Sequence, residues 1–258
     1  MPSDPAPGID AGVPRPQVLA GAAAGLGSAV LFGISAPAAK VLLPSVDSWV
    51  LAGLLYAGAG VGLLMVRVLH HARRVQAEGQ DGLTRADAPL LAAITIIGGG
   101  LAPVLLLVGL RRVSGVMGSL MLNLEAVATI LLAVAAFGDR LGRRETAGAG
   151  LVLAGALVLS YHPGDVRGEL VGALAIAAAC VCWGLDNNLT ARLARRNPLQ
   201  LTCIKGLGAG AGNLALALTA GRMMPSLRVT ALALGVGFVC YGVSIVLDVY
   251  ALRYVGPA

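Results

Sequence analysis

The sequence predicts an all-α integral membrane protein of about eight transmembrane helices, built as two inverted five-helix repeats of which the second is incomplete. Three observations lead there. First, of 258 residues 57% are hydrophobic and only 12% charged, about half the charge of a typical soluble domain. Mean hydropathy is +0.82, so in water the chain would lack polar surface to cover its own core. Second, the apolar residues fall into runs long enough to cross ~30 Å of hydrocarbon at ~1.5 Å per residue. Third, landmarks in one half recur in the other. The 36 glycines suit helices that approach closely through small side chains. Disordered, collagen-like and disulfide-scaffold classes are excluded by the same composition.

Taken in order, residues 1–17 hold five prolines and few large apolar side chains and read as a short disordered cytoplasmic tail. The first span, 18–43, is too long for a signal peptide and is preceded only by Arg15. Span two, 48–69, carries the ladder Gly58, Gly60, Gly62. Loop 70–87 is the only sizeable one and holds His70, His71, Arg73, Arg74 and Arg85. Span three, 88–110, contains Gly98-Gly99-Gly100 and Pro103, odd in a soluble helix but ordinary in a membrane one. Spans four to eight are expected at 116–137, 145–161, 170–193, 198–219 and 229–252.

The charges orient these spans. With the N-terminus cytoplasmic, twelve arginines fall on the cytoplasmic side and five on the other, leaving Lys40 and Lys205 within spans; this bias predicts an N-terminus inside. The net charge of +6 comes from short clusters between apolar runs, not from a basic stripe, so nucleic acid is not an expected partner. Cys180, Cys182, Cys203 and Cys240 all lie in apolar segments at spacings that match no zinc pattern. They read as small packing residues, and no metal or cofactor is expected. His70, His71 and His162 lie in loops, so histidine builds no buried proton relay.

The halves match at several points. Phe32-Gly33 pairs with Trp183-Gly184, the Gly58 ladder with Gly208, Gly210 and Gly212, Gly100 with Gly242, and Leu110-Arg111-Arg112-Val113 with Leu252-Arg253-Tyr254-Val255. The offset falls from 151 to 142 because the loop after span two is longer than the one after span seven. A repeat of five spans is odd, so its successor enters from the opposite side, an architecture of transporters with the site near the midplane. The expected organisation is a tail at 1–17, a first repeat at 18–161 and a second at 170–258 that stops after its third helix. Residues 116–160 have no counterpart, and two spans are expected to be missing.

Phe32-Gly33 followed by Lys40, the run Leu110 to Ser114, Leu122-Asn123-Leu124-Glu125-Ala126-Val127 through Gly138-Asp139-Arg140-Leu141, and Leu252 to Gly256 together resemble the EamA branch of the drug/metabolite transporter superfamily. The resemblance covers roughly residues 18–258 and rests on the order of the segments. It implies ten helices in two five-helix repeats and a secondary transporter of the inner or plasma membrane, in a family associated with amino acids, metabolites and drugs. Asp186-Asn187-Asn188-Leu189-Thr190 and Lys205-Gly206 resemble a subset of that family.

Polar groups inside spans are the candidate site, because each intramembrane charge costs about 2.5–3.5 kcal/mol on insertion scales. Glu125 lies near the centre of span four. It reads either as a cavity-lining carboxylate able to bind a proton or a cationic group, or as a hydrogen-bonded tie between helices. Asn123 points to another face of that helix, where an interhelical hydrogen bond is expected. Asp186 and Lys205 are equidistant from the turn joining spans six and seven and are expected to pair, either to fix helix register or to serve a substrate site. Asn187 and Asn188 add donors and acceptors. Trp183, one turn away, offers a ring to a ligand or simply packs. Lys40, near the end of span one, is expected to snorkel to water or to touch substrate. Asp248 is expected at the interface near Arg253, and Glu125 and Asp186 at different depths.

The function expected is secondary transport of a small metabolite or drug-like solute by alternating access. No G-x-x-x-x-G-K-[ST] loop is present, and Glu125 makes protons the candidate coupling ion. The expected partners are a small-molecule substrate and the lipid bilayer. The alternatives are an inactive fragment or membrane remnant, and, more weakly, a membrane-embedded enzyme, for which no H-E-x-x-H or G-x-S-x-G motif is found.

Overall fold

The computed structural model describes residues 15–71, 82–137, 166–193 and 196–255, together with 142, 146–148, 150–151 and 153–155. Its helices are α1 (Arg15–Leu42), α2 (Ser48–His71), α3 (Ala88–Ile94), α4 (Ala102–Leu110), α5 (Gly115–Met121), α6 (Leu124–Phe137), α7 (Val166–Ala191), α8 (Pro198–Thr219), α9 (Leu227–Val236) and α10 (Ser244–Val255). A π-helical segment, Thr95–Leu101, joins α3 to α4, and a second, Gly237–Val243, joins α9 to α10. Among the described residues seven helical stretches are long and apolar enough to cross a membrane. They coincide with seven of the eight predicted spans. The predicted fifth span, 145–161, falls largely outside the described residues, which give there only the short apolar stretch Thr146–Gly155.

The distribution of side chains suits a lipid solvent. Val41, Ile96, Met65 and Leu151 stand exposed on the outside, while Asp186, Lys205 and Asn213 are buried inside. In water this would be an oversized exposed apolar surface; in hydrocarbon it is the ordinary arrangement, because charged groups there turn to the interior of the bundle.

Glycine sets the central contact. α2 packs along α8, and a Cβ built on Gly60 would come 2.5 Å from the Leu207 backbone nitrogen. The partner contact repeats this: a Cβ on Gly210 would come 2.5 Å from the Ala57 nitrogen. Both contacts join positions 57 and 60 to 207 and 210, so one glycine of each ladder packs reciprocally against the partner helix, while Gly58 and Gly62 meet Leu234 and Phe238 instead. Only the absence of side chains lets the backbones approach so far. Beside this crossing, Phe32 and Trp183, the aromatic landmarks of the two halves, touch edge to face with ring centroids 5.4 Å apart.

Helix ends follow local chemistry. Asn197 caps α8 by accepting from the Gln200 amide at 3.0 Å, ahead of Pro198 in the first turn. Ser114 caps α5 by accepting from the Met117 amide at 3.0 Å. α8 stops at Gly221, whose φ of 71° allows Arg222 N–H to reach the Ala217 carbonyl and Gly221 N–H the Leu218 carbonyl, a Schellman ending.

Three spans predicted as continuous helices are interrupted. Span four breaks at Leu122-Asn123, between α5 and α6. Spans three and eight carry the π segments, which lie 142 positions apart, the same offset that relates Gly100 to Gly242.

Candidate functional site

The first π segment has a readable cause. In its register the Ala102 N–H donates to the Ile97 carbonyl, so the next donor, owed to Gly98, would come from residue 103. That residue is proline and has no N–H. The Gly98 carbonyl is therefore left for other donors, and two arrive from neighbouring helices: Tyr56 Oη at 2.8 Å and Trp183 Nε1 at 2.9 Å. Asn213 Nδ2 donates in the same way to the Gly99 carbonyl at 3.2 Å. A sequence irregularity in span three thus becomes a polar joint between α2, α7 and α8, satisfied entirely within protein, as irregular backbone in a membrane must be.

Over this joint lies the ion pair. Lys205 Nζ donates to Asp186 Oδ2, and the two side chains keep only 4% and 5% of their exposure. The π segment packs against both α7 and α8, and the carboxylate occupies the space beside Gly98: a Cβ there would overlap the carboxyl carbon and come 2.7 Å from Asp186 Cβ. The bridge passes where span three has no side chain. Thr190, one turn along α7, approaches the carboxylate, but its hydroxyl and Asp186 Oδ1 make no hydrogen bond.

Glu125 stands in the first turn of α6, directly after the break in span four, where the positive end of the helix dipole favours a carboxylate. Its Oε1 accepts from Asn187 Nδ2 at 2.8 Å, and the same nitrogen lies 3.3 Å from Thr129 Oγ1. This corrects the expectation that Glu125 and Asp186 sit at different depths: Glu125 is bonded to the residue beside Asp186 and lies within electrostatic reach of Asp186, Lys205 and Asp248. α10 runs to Val255 while its apolar span ends at Ala251, so Asp248 is half-buried near the end of the span, and from there it lies within electrostatic reach of Lys205 and Asp186.

The other predicted residues take structural places. Asn188 Nδ2 donates to the carbonyls of Thr129 at 2.9 Å and Gly184 at 2.8 Å, fastening α7 to α6. Trp183 is buried, its N–H spent on Gly98 and its ring on Phe32. Lys40 stands apart from the cluster, donating to the Leu110 carbonyl at the end of α4, where a cation meets the negative end of the helix dipole. Asn123 makes no interhelical bond; it is exposed and donates to Leu120 of its own turn at 2.8 Å. The sequence reading missed Tyr56 and Asn213, and it did not join Asp248 to the cluster. Asn213 carried a signal, an amide deep in an apolar run, whereas a tyrosine in span two has none.

The two ends of the bundle differ. Where loop 82–87 meets the α7–α8 turn, Arg196 grips Asp87 with Nε at 3.1 Å and a second nitrogen at 3.2 Å. At the opposite end Arg222 lies 3.8 Å from Asp47. A cavity of about 490 Å³ opens there, lined by residues including Val46, Asp47, Arg111, Arg222 and Met224.

Residues 19–161, more than half of the chain, match the EamA-like transporter family. The chain belongs to that family. An uncharacterized transporter of Methanothermobacter thermautotrophicus is 29% identical over an alignment of 246 positions that covers 89% of this chain and 70% of that protein. A solved crystal structure superposes with a TM-score of 0.65 over 92% of this chain and 84% of its own, at 19% identity, and so shares the fold. As an EamA-like transporter with seven apolar spans among its described residues, the protein is a multi-pass membrane protein of an all-α transporter fold.

Proposed function

We propose that this EamA-like protein is a secondary transporter that carries a small metabolite or drug-like solute across the cytoplasmic membrane by alternating access, coupled to protons. The observation that carries the reading is the convergence of Glu125, Asp186, Lys205 and Asp248, from four different helices, beside a span whose helical ladder is broken. Ionisable groups grouped inside a bundle mark a solute or ion path, and broken helices are where transporters place it.

Two inverted repeats, at 18–161 and 170–258, fit the reciprocal Gly60 and Gly210 contacts and the 142-residue offset between π segments. The N-terminus is taken as cytoplasmic from the arginine bias. Glu125 is the proton carrier in this scheme. An ionised carboxylate without a counter-ion costs about 2.5–3.5 kcal/mol inside a bilayer, and a proton removes that cost while the site faces neither solution.

The test is reconstitution into liposomes loaded with a pH-sensitive dye. Metabolite and drug pools applied outside should drive proton movement that Glu125→Gln abolishes while the variant stays folded. Solute flux without proton movement would remove the coupling, and absence of flux for every pool would remove the transport reading.

A further inference from the structure

The charges in the cluster do not balance. Three carboxylates, Glu125, Asp186 and Asp248, meet one ammonium, Lys205, and that ammonium is spent on Asp186. Among the described residues Lys205 is the cation that Glu125 and Asp248 feel. Those two acids and Asn187 retain partial exposure, whereas Asp186 and Lys205 are sealed in. A bundle interior does not leave two carboxylates uncompensated without a purpose. Among the described residues no further cation faces them, so a bound state takes its positive charge from elsewhere.

A second observation points the same way. Tyr241 is fully buried and in electrostatic reach of Glu125. Its hydroxyl faces that of Ser35, also fully buried, and apart from this loose mutual contact neither has a hydrogen-bond partner. Buried hydroxyls are rarely left so, and each has lone pairs for an N–H donor. Around them stands an aromatic group: Phe32 touches Trp183 at 5.4 Å and Tyr241 at 5.8 Å between centroids, and Tyr56 touches Tyr241 at 5.4 Å. Aromatic rings beside carboxylates are the surroundings that favour an organic cation over a hydrated metal ion.

We propose that the site selects solutes bearing a cationic amine, whose charge is held between Glu125 and Asp248, while Asp186 and Lys205 form a neutral wall. This rests on the transporter reading and adds the substrate class to it. An ammonium finds two carboxylates and the Tyr241 hydroxyl as acceptors, its carbon skeleton meets Phe32, and Asn187 holds Glu125 in place by bonding one of its oxygens. Among the described residues an anionic solute finds no free cation in this cluster. Solute and proton neutralise the same acids, so the two compete.

The test uses three probes of one skeleton on the purified full chain in detergent: phenethylamine as cation, 2-phenylethanol as neutral analogue and phenylacetate as anion. Isothermal titration should show the amine binding at least tenfold tighter than the other two. Glu125→Gln and Asp248→Asn should each weaken amine binding about tenfold, and Gly212→Ala, where a Cβ meets nothing within 4 Å, should retain the preference. Equal or weaker binding of the amine, including no binding of any probe, overturns the proposal. Should a variant fail to fold, the three-probe series on the unaltered chain still decides. Flux in liposomes separates the two readings. Selective amine binding without transport defeats only the transporter reading, and transport of neutral or anionic solutes that survives both acid substitutions defeats only this one.

Discussion

Replacing Gly98 by alanine tests whether span three, α7 and α8 are held as described. The new methyl group would overlap the Asp186 carboxyl carbon and lie 2.7 Å from its Cβ. The carboxylate can swing away, but the Cβ is fixed by the backbone of α7, so rotation alone does not relieve the clash. Overpacking of this kind costs about 1–3 kcal/mol. Any relief that draws Asp186 off Lys205 leaves both buried without a partner, and breaking a buried pair costs about 3–5 kcal/mol. The expected loss is therefore about 3–5 kcal/mol, with the pair setting the upper part. Gly212→Ala is the control, since a Cβ there meets nothing within 4 Å, and helix propensity predicts a gain of up to about 1 kcal/mol. The assay is reversible unfolding in mixed micelles by titrating dodecyl sulfate, followed by far-ultraviolet circular dichroism. In an Asp186→Ala, Lys205→Met background the Gly98→Ala cost should fall to about 1–3 kcal/mol, because the Cβ still intrudes but no pair remains to break. Equal stability of Gly98→Ala and Gly212→Ala, or an undiminished cost in the neutral background, would refute the reasoning.

The same unfolding assay should find Asp186→Asn less stable by about 3–5 kcal/mol, and Asp186→Leu combined with Lys205→Met close to the parent, since removing both charges leaves nothing unpaired. A double variant as weak as the single one would show that the pair is not what matters there. Asn187→Leu removes the donor to Glu125 and should cost about 1.5–3 kcal/mol if that carboxylate is ionised, and nearer 1 if it is protonated; an unchanged midpoint would argue against the bond. Trp183→Phe should lose about 1 kcal/mol because Tyr56 still serves the Gly98 carbonyl, while adding Tyr56→Phe leaves the carbonyl orphaned and should cost more than the sum of the two single changes; strict additivity would contradict a shared acceptor. Ala86→Cys and Met223→Cys, in the loops at opposite ends of the bundle, should label with a membrane-impermeant maleimide from opposite sides of a sealed vesicle, Met223→Cys from outside the cell; labelling from one side would overturn the orientation.

Span positions were legible because a bilayer imposes a local, additive condition. A run of about twenty apolar residues satisfies it whatever the neighbouring helices do. Hence α1, α2, α7 and α8 begin or end within a few residues of the predicted limits. The Asp186–Lys205 pair was legible for a related reason. Both residues flank one short turn at equal distance, and the constant helical rise converts equal spacing into equal depth. Neither inference needed to know how the helices face one another.

Everything that depends on facing was out of reach. In water an amphipathic stripe announces which side of a helix is inside, but here lipid tails and protein interior are equally apolar, so the stripe is missing. Glu125 could therefore not be aimed at Asn187 from sequence, nor Tyr56 at Gly98. Asp248 could be set near the end of its span, but its approach to Lys205 and Asp186 depends on how α10 is turned. Pro103 and the glycine run were visible as irregularities, but which carbonyl they freed depended on whether the ladder widened to the π register, and that was settled by the donors from α2 and α7 that meet Gly98. The amino-acid sequence by itself determined which segments lie in the membrane and that two charges share a depth, because those are properties of single helices. Tertiary packing alone decided which polar groups converge, because rotation and crossing angle are properties of pairs.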